Sequence, residues 1–310
     1  MNKFYTVLLV IISFSNISFG QVDFNNRSIL QTEITYIHSI GLSPNDSMLA
    51  YGVGSYALVI LDTQFHQINR FNLDGRWGGG GYSFSNDSRI IAYYSYGKLD
   101  TLSIYDFHKD KTTKLIQDDI NGLFFLKKSN DLLLLYNLTS ISIYSLKKQR
   151  IKRVKKFKKT VEEIKQSNNG NSIIIRFEDG SIERYDASNF KHIESIAKID
   201  TRSYNLIIND STLIYNVKET VYVYDYINKK TVEEIKTDFP TISDIFYDES
   251  QIIISGRLKK LIIYNRETRK MKEVALDVSE YGMFCIYQLP NKVFLLGDEY
   301  NLYLVEDSIR

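Results

Sequence analysis

The chain has 310 residues but only one cysteine, three prolines, one tryptophan and four histidines. Each scarcity removes an option. With Cys285 alone, no intramolecular disulfide can form, so an apolar core and backbone ladders must hold the fold. Cys285 sits in Met283-Phe284-Cys285-Ile286-Tyr287, where a cysteine acts as a small hydrophobe. His38, His66, His108 and His192 are dispersed and do not have the spacing of a metal-ligand set. There is no P-loop, no metalloprotease helix, no nucleophile elbow and no paired-cysteine site. Gly52-Val53-Gly54-Ser55-Tyr56-Ala57 fits a loose dinucleotide pattern. It leads into a strand, however, where that motif needs a helix N-terminus. Neither catalytic residues nor a cofactor or metal are expected. After residue 20 no stretch approaches the ~20 apolar residues of a membrane-spanning helix.

The first twenty residues read as a leader. Lys3 supplies a positive start, Val7 to Phe14 a short apolar run, and Ser18 and Gly20 small residues before Gln21. This is the pattern of a secretory signal peptide. The expected location is therefore periplasmic or extracellular, with one domain over residues 21–310.

What the chain has in quantity is β-forming residues, including 23 tyrosines and 17 phenylalanines, arranged in a repeat. A β-rich run ending in a polar residue recurs as Val59-Ile60-Leu61-Asp62, Ser103-Ile104-Tyr105-Asp106, Ser142-Ile143-Tyr144-Ser145 and Glu183-Arg184-Tyr185-Asp186. It returns as Tyr222-Val223-Tyr224-Asp225, Ile262-Ile263-Tyr264-Asn265 and Tyr303-Leu304-Val305-Glu306. The repeat is about forty residues long. Before each run lies a turn of the kind Ser43-Pro44-Asn45-Asp46-Ser47 or Ser85-Asn86-Asp87-Ser88. The runs Ala57–Leu61, Leu132–Leu135 and Ile252–Ile254 are continuously apolar, as strands covered on both faces are, whereas a strand with a wet face alternates. Four short strands per repeat, stacked face to face, describe an all-β, seven-bladed β-propeller of four-stranded antiparallel blades. The seventh repeat lacks room for a fourth strand, and Arg27 to Thr32 is unassigned. We expect that N-terminal strand to complete the seventh blade and close the ring, which would hide an exposed edge.

The arrangement resembles the WD40-type propellers over residues 27–306. The resemblance rests on the Ser-Pro-Asn-Asp-like first turn and on Asp62, Asp106, Asp186 and Asp225 ending third strands. Tyrosine stands in five copies where that family favours tryptophan, and the glycine-histidine pair opening each repeat is missing. The resemblance therefore implies architecture only, of a divergent bacterial kind.

Two surface features stand out. Gly75-Arg76-Trp77-Gly78-Gly79-Gly80-Gly81 joins the first two repeats, and Arg and Trp are enriched in binding hot spots. Tyr56, Tyr96, Lys98, Arg202, Tyr204, Phe239 and Tyr281 fall in loops expected on the same rim. The second feature is 147–159, with cations at Lys147, Lys148, Arg150, Lys152, Arg153, Lys155, Lys156, Lys158 and Lys159 and no acid. The whole chain carries only +2, so the remainder is net negative. The stripe is expected on an outer strand, where lysine also blocks edge-to-edge pairing, and it suits an anionic glycan, a lipid headgroup or an acidic protein. Nucleic acid is a poor match for an exported chain. The reading that follows is a monomeric, exported, non-catalytic scaffold that binds a protein or peptide on its rim. A propeller enzyme acting on glycans and an envelope-associated structural component using the basic edge are the alternatives. Finally, Lys-Lys-Thr-Val-Glu-Glu-Ile-Lys occurs at 158–165 and again at 229–236. The spacing breaks the repeat, and we expect the first copy to run into an inner strand and the second to form an outer one.

Overall fold

A computed structural model describes residues 27–31, 37–53, 57–73, 81–95, 101–116, 119–199, 206–256, 260–276, 285–288, 293–297 and 301–306. All of its regular elements are β-strands, arranged in four-stranded antiparallel sheets. The first sheet is β2 (Ile37–Leu42), β3 (Met48–Val53), β4 (Ala57–Asp62) and β5 (Gln67–Asn72). The second is β6 (Tyr82–Phe84), β7 (Ile90–Ser95), β8 (Thr101–Asp106) and β9 (Lys111–Ile116). The third is β10 (Ile120–Phe125), β11 (Leu132–Tyr136), β12 (Ser140–Ser145) and β13 (Arg150–Lys156). The fourth is β14 (Val161–Gln166), β15 (Ser172–Phe177), β16 (Ser181–Asp186) and β17 (His192–Lys198). The fifth is β18 (Leu206–Ile208), β19 (Thr212–Val217), β20 (Thr220–Asp225) and β21 (Lys230–Lys236). The sixth is β22 (Ile242–Tyr247), β23 (Gln251–Gly256), β24 (Lys260–Asn265) and β25 (Lys270–Ala275). The last holds β26 (Cys285–Gln288), β27 (Val293–Gly297), β28 (Asn301–Glu306) and, outermost, β1 (Arg27–Gln31). The N-terminal strand thus pairs with the C-terminal one, with Arg27 opposite Leu304 and Gln31 opposite Asn301.

This is a β-propeller. Its leading strands gather around one axis: β6 lies beside β10, β14 beside β18, and β26 beside both β22 and β2. The middle strands are buried on both faces because successive side chains point to opposite sides of a strand. Ala50, Leu58 and Ile60 of the first sheet pack on Phe84, Ile91 and Tyr93 of the second. Their chain neighbours Leu49, Tyr51 and Val59 pack the other way, on Tyr287 of the last sheet. Similarly, Leu132 and Leu134 join Ala92, Leu102 and Ile104, whereas Leu133 and Leu135 join Ile173, Ile175 and Phe177. Ile174 and Ile182 meet Leu213 and Tyr226, and Ile214, Val221 and Val223 meet Ile252, Ile254 and Ile262. Ile253, Leu261 and Ile263 meet Ile286. A pattern that alternated apolar and polar would have left one side of each sheet unable to stack.

The outer strands follow the opposite rule. Ile68, Ile193, Val232 and Met271, on β5, β17, β21 and β25, remain between 43% and 55% exposed.

Candidate functional site

The turns between first and second strands, which read in sequence only as chain reversals, lock neighbouring sheets together. In three of them the opening serine is buried (Ser43, Ser85 and Ser167). Its hydroxyl donates to the residue two positions on, Asn45, Asp87 or Asn169, at 2.8, 2.6 and 3.0 Å. The same hydroxyl accepts the N–H of Met48, Ile90 or Ser172. Each turn then reaches the next sheet. Asn45 N–H donates to Ser88 Oγ at 3.0 Å. Asn86 N–H donates to Asn130 Oδ1, while its amide donates to the carbonyls of Leu126 and Lys127. Lys127 N–H donates to Gln166 Oε1. Asn168 Nδ2 donates to Asn209 Oδ1 and Asn169 N–H to Asp210 Oδ1. Five consecutive sheets are stitched this way along one face.

The aspartates that end third strands also have a role. Each carboxylate accepts backbone N–H groups inside the following turn. Asp62 takes those of Gln64 and His66, and Asp106 those of His108 and Lys109. Asp186 takes those of Ser188 and Asn189, and Asp225 those of Ile227 and Asn228. The Ser188 hydroxyl and N–H hold the Asp186 carboxyl below its ordinary pKa, and the Asn228 N–H and amide do the same for Asp225. Just before the fourth strand the backbone turns left-handed at Phe65, Asp110, Gln149, Phe190, Lys229 and Arg269. The aspartate therefore pins a hairpin, as Asx turns do. The signal that could have revealed this role was its nearly constant offset, five or six residues before the fourth strand.

Near the axis, Asp244 on β22 is an acid held well above its ordinary pKa. As a residue it keeps some surface, but dense packing around the carboxyl pushes its pKa up to about 6 against the pull of two N–H donors and Lys165. One carboxylate oxygen accepts Ile245 N–H at 2.9 Å and the other Ile286 N–H, on the last sheet, at 2.8 Å. With both oxygens engaged by backbone, the group acts as a clamp between sheets. On the axial strand β14 of the fourth sheet, Glu162 and Glu163 pair with buried Arg176 at 3.0 and 3.3 Å, and Lys165 pairs with Glu163 at 3.3 Å.

The expected rim set is mostly out of view: Tyr56, Arg76, Trp77, Tyr96, Lys98, Arg202, Tyr204 and Tyr281 lie outside the described residues, as does the expected leader, 1–20. Phe239 requires correction. It is fully buried, in the cluster with Ile235, Ile242 and Ile254. The Asp238-Phe239-Pro240 connection turns its ring inward against Gly256, where only a glycine leaves room for it. Among the four glycines preceding β6, Gly81 is described, and its α-carbon lies against the Tyr94 ring, which a Cβ would approach to 2.9 Å.

The basic segment falls where it was expected, with β13 the outermost strand of its sheet. Two of its cations are engaged internally. Lys155 Nζ donates to Phe190 O at 3.1 Å and lies 4.5 Å from the Tyr185 ring centroid. Lys159 pairs with Asp179 at 2.8 Å and donates to Ser181. The Arg153 side chain lies outside the described set. Lys147, Lys148, Arg150, Lys152, Lys156 and Lys158 are exposed, and among the described residues none of them has a side-chain hydrogen bond or ion pair.

His66 lies 3.4 Å from Asp62, and His192 lies 3.7 Å from Glu183. Among the described residues no group of three or more His, Cys, Asp or Glu could hold a metal ion. Among the described residues there is no helix long and apolar enough to cross a membrane. No family model matches the chain, and no curated protein matches it.

Proposed function

We propose that the chain is an exported, non-catalytic scaffold: one seven-bladed ring, akin in architecture to WD40-type propellers, that binds a protein or peptide through its loops. The observation that carries this reading is the stitched face. The Ser-Asn-Asp turns spend their polar groups on one another, which makes the frame stiff, and rigid frames that present loops are suited to recognition. The connections at the opposite strand ends, including 74–80 with Arg76 and Trp77, are then the binding elements. The circular packing of neighbouring sheets supports one closed ring. The Asx-pinned hairpins support the likeness to WD40-type propellers.

The reading is tested by placing a photo-crosslinking residue at Trp77 or, on the stitched face, at exposed Ser47. We expect a discrete crosslinked protein from position 77 in the native envelope fraction and none from position 47. Equal crosslinking from both positions, or none from 77, would reject it.

A further inference from the structure

We propose that the β13 edge and the adjacent Asn137-Leu138 turn form a docking surface for an anionic lipid membrane. The other outer strands of the same molecule serve as internal controls. β5 carries one cation (Arg70), and β9 two (Lys111 and Lys114). β17, β21 and β25 mix cations with Glu194, with Glu233 and Glu234, and with Glu273. These edges face the same danger of sheet-to-sheet pairing and meet it with one or two cations or with charges of mixed sign. β13 has Arg150, Lys152, Arg153, Lys155 and Lys156 and no acid. Edge protection accounts for one or two of those charges and the contacts of Lys155 with Phe190 and Tyr185 for another, which leaves the rest, with the exposed Lys148 and Lys158 beyond the strand ends, unexplained.

The second observation is independent of charge. Leu138 is 38% exposed, and its φ is +51°. Together with Asn137 at +47° it makes a two-residue hairpin turn of the kind that prefers Asn-Gly. It is the only exposed large hydrophobic residue at positive φ among those described. The turn is held firmly: Thr139 N–H donates to Tyr136 O at 3.0 Å, Asn137 N–H to Asp119 O and Leu138 N–H to Asn121 Oδ1, both at 2.9 Å. The turn sits at one end of the basic strand. Ser140 pairs with Lys156, Phe157 N–H donates to Thr139 O and Val161 N–H to Leu138 O. Lys156 and Lys158 therefore flank an apolar tip whose residue type the turn itself disfavours. A soluble polyanion has no use for the leucine. A lipid surface uses both features, cations at the headgroups and an apolar side chain at the acyl boundary. The register shift within β13, between the residues opposite Ile141 and Ser142, argues against an acidic peptide adding as a further strand, because bulges blunt edges. This inference does not depend on whether the loops bind a peptide.

The test is co-sedimentation with vesicles of pure phosphatidylcholine or of phosphatidylcholine with one-third phosphatidylglycerol. Residues 1–20 are removed so that their apolar run cannot itself insert; every described strand is retained. We expect binding to anionic vesicles only, weakened by salt. Changing Lys148, Arg150, Lys152, Lys156 and Lys158 to glutamine should reduce it by more than about a hundredfold, given roughly fivefold per cation. The paired control Lys111→Gln/Lys114→Gln on β9 should lose far less. Leu138→Gly separates function from fold: it should raise the melting temperature, because glycine accepts positive φ, and still lower vesicle binding several-fold. Binding to neutral vesicles, or full binding by the five-site variant, would overturn the proposal. Preference for heparin or polyglutamate over anionic vesicles, with Leu138→Gly silent, would also overturn it, in favour of a soluble polyanion.

Discussion

An added methyl at Gly256 would lie 2.5 Å from Phe239 Cγ and 2.7 Å from the Thr241 carbonyl oxygen. Neither neighbour can retreat, since the ring is fully enclosed and the oxygen belongs to the backbone. Gly256→Ala should therefore destabilise the protein by roughly 1–3 kcal/mol, the range for overpacking a filled core. Urea denaturation measures this, and an unchanged midpoint would show that the ring has room to move. The same pair explains why Phe239 misleads in sequence. A phenylalanine between Asp238 and Pro240 looks like a loop residue on display. The space that receives it is created by a glycine on a different strand, which no local pattern announces. Lys155 and Lys159 mislead for a related reason: their partners, Phe190 and Asp179, lie in turns of the next sheet.

Between elements, the Asp244 carboxylate joins β22 to β26 through the N–H of Ile286. Its pKa is raised to about 6 from an ordinary 3.8, so the folded chain holds this proton more tightly than the unfolded chain does. Stability is greatest below the unfolded value, falls as pH rises from about 4 to 6, and levels off above that. The decline is on the order of 1–3 kcal/mol for a shift of about two pKa units. Asp244→Asn cannot ionise but can accept only one of the two N–H groups through its single oxygen. It should be less stable than the parent at pH 4, and the gap should narrow by pH 7. Melting both proteins across that range is the check, and parallel pH profiles would reject the account. The Ser-Asn-Asp turns illustrate what sequence can say about elements. Their position was readable because turn residues act locally. Their stitching of one sheet to the next was not, because Asn86 and its acceptors Leu126 and Lys127 meet only after the sheets stack.

For the whole molecule, the antiparallel pairing of β1 with β28 ties the two ends of the chain in one sheet. Deleting 27–31 would leave β28 as an open edge and release that tie. We expect a fall in Tm of more than about 5 °C, from the loss of several ladder bonds and their packing. Leu30→Pro, which removes one N–H and stiffens the strand, should give part of the same effect. Calorimetry decides, and an unaltered transition in the deletion would mean that closure rests on sheet packing alone. The N-terminal strand could be anticipated because the last repeat lacked a partner. The basic edge could be anticipated because nine cations fall within thirteen residues. The strained Leu138 tip could not, since positive φ at a leucine is imposed by the hairpin and its bonds to Asp119 and Asn121.

The octapeptide at 158–165 and 229–236 marks the boundary between the two kinds of information. In both places it contributes to a strand, as its Thr-Val and Ile content favours, and that much is a property of the residues. In the first copy Val161 opens the axial strand β14 and is fully buried; in the second, Val232 lies on the outer strand β21 and is 43% exposed. Local sequence by itself determined strands, turns and the repeat, because these depend on residues near one another in the chain. Inner or outer position, and therefore which side chains face the axis, a neighbouring sheet or the solvent, was decided only by the tertiary structure. Stacking brings together groups some forty residues apart, and their burial belongs to the assembled ring.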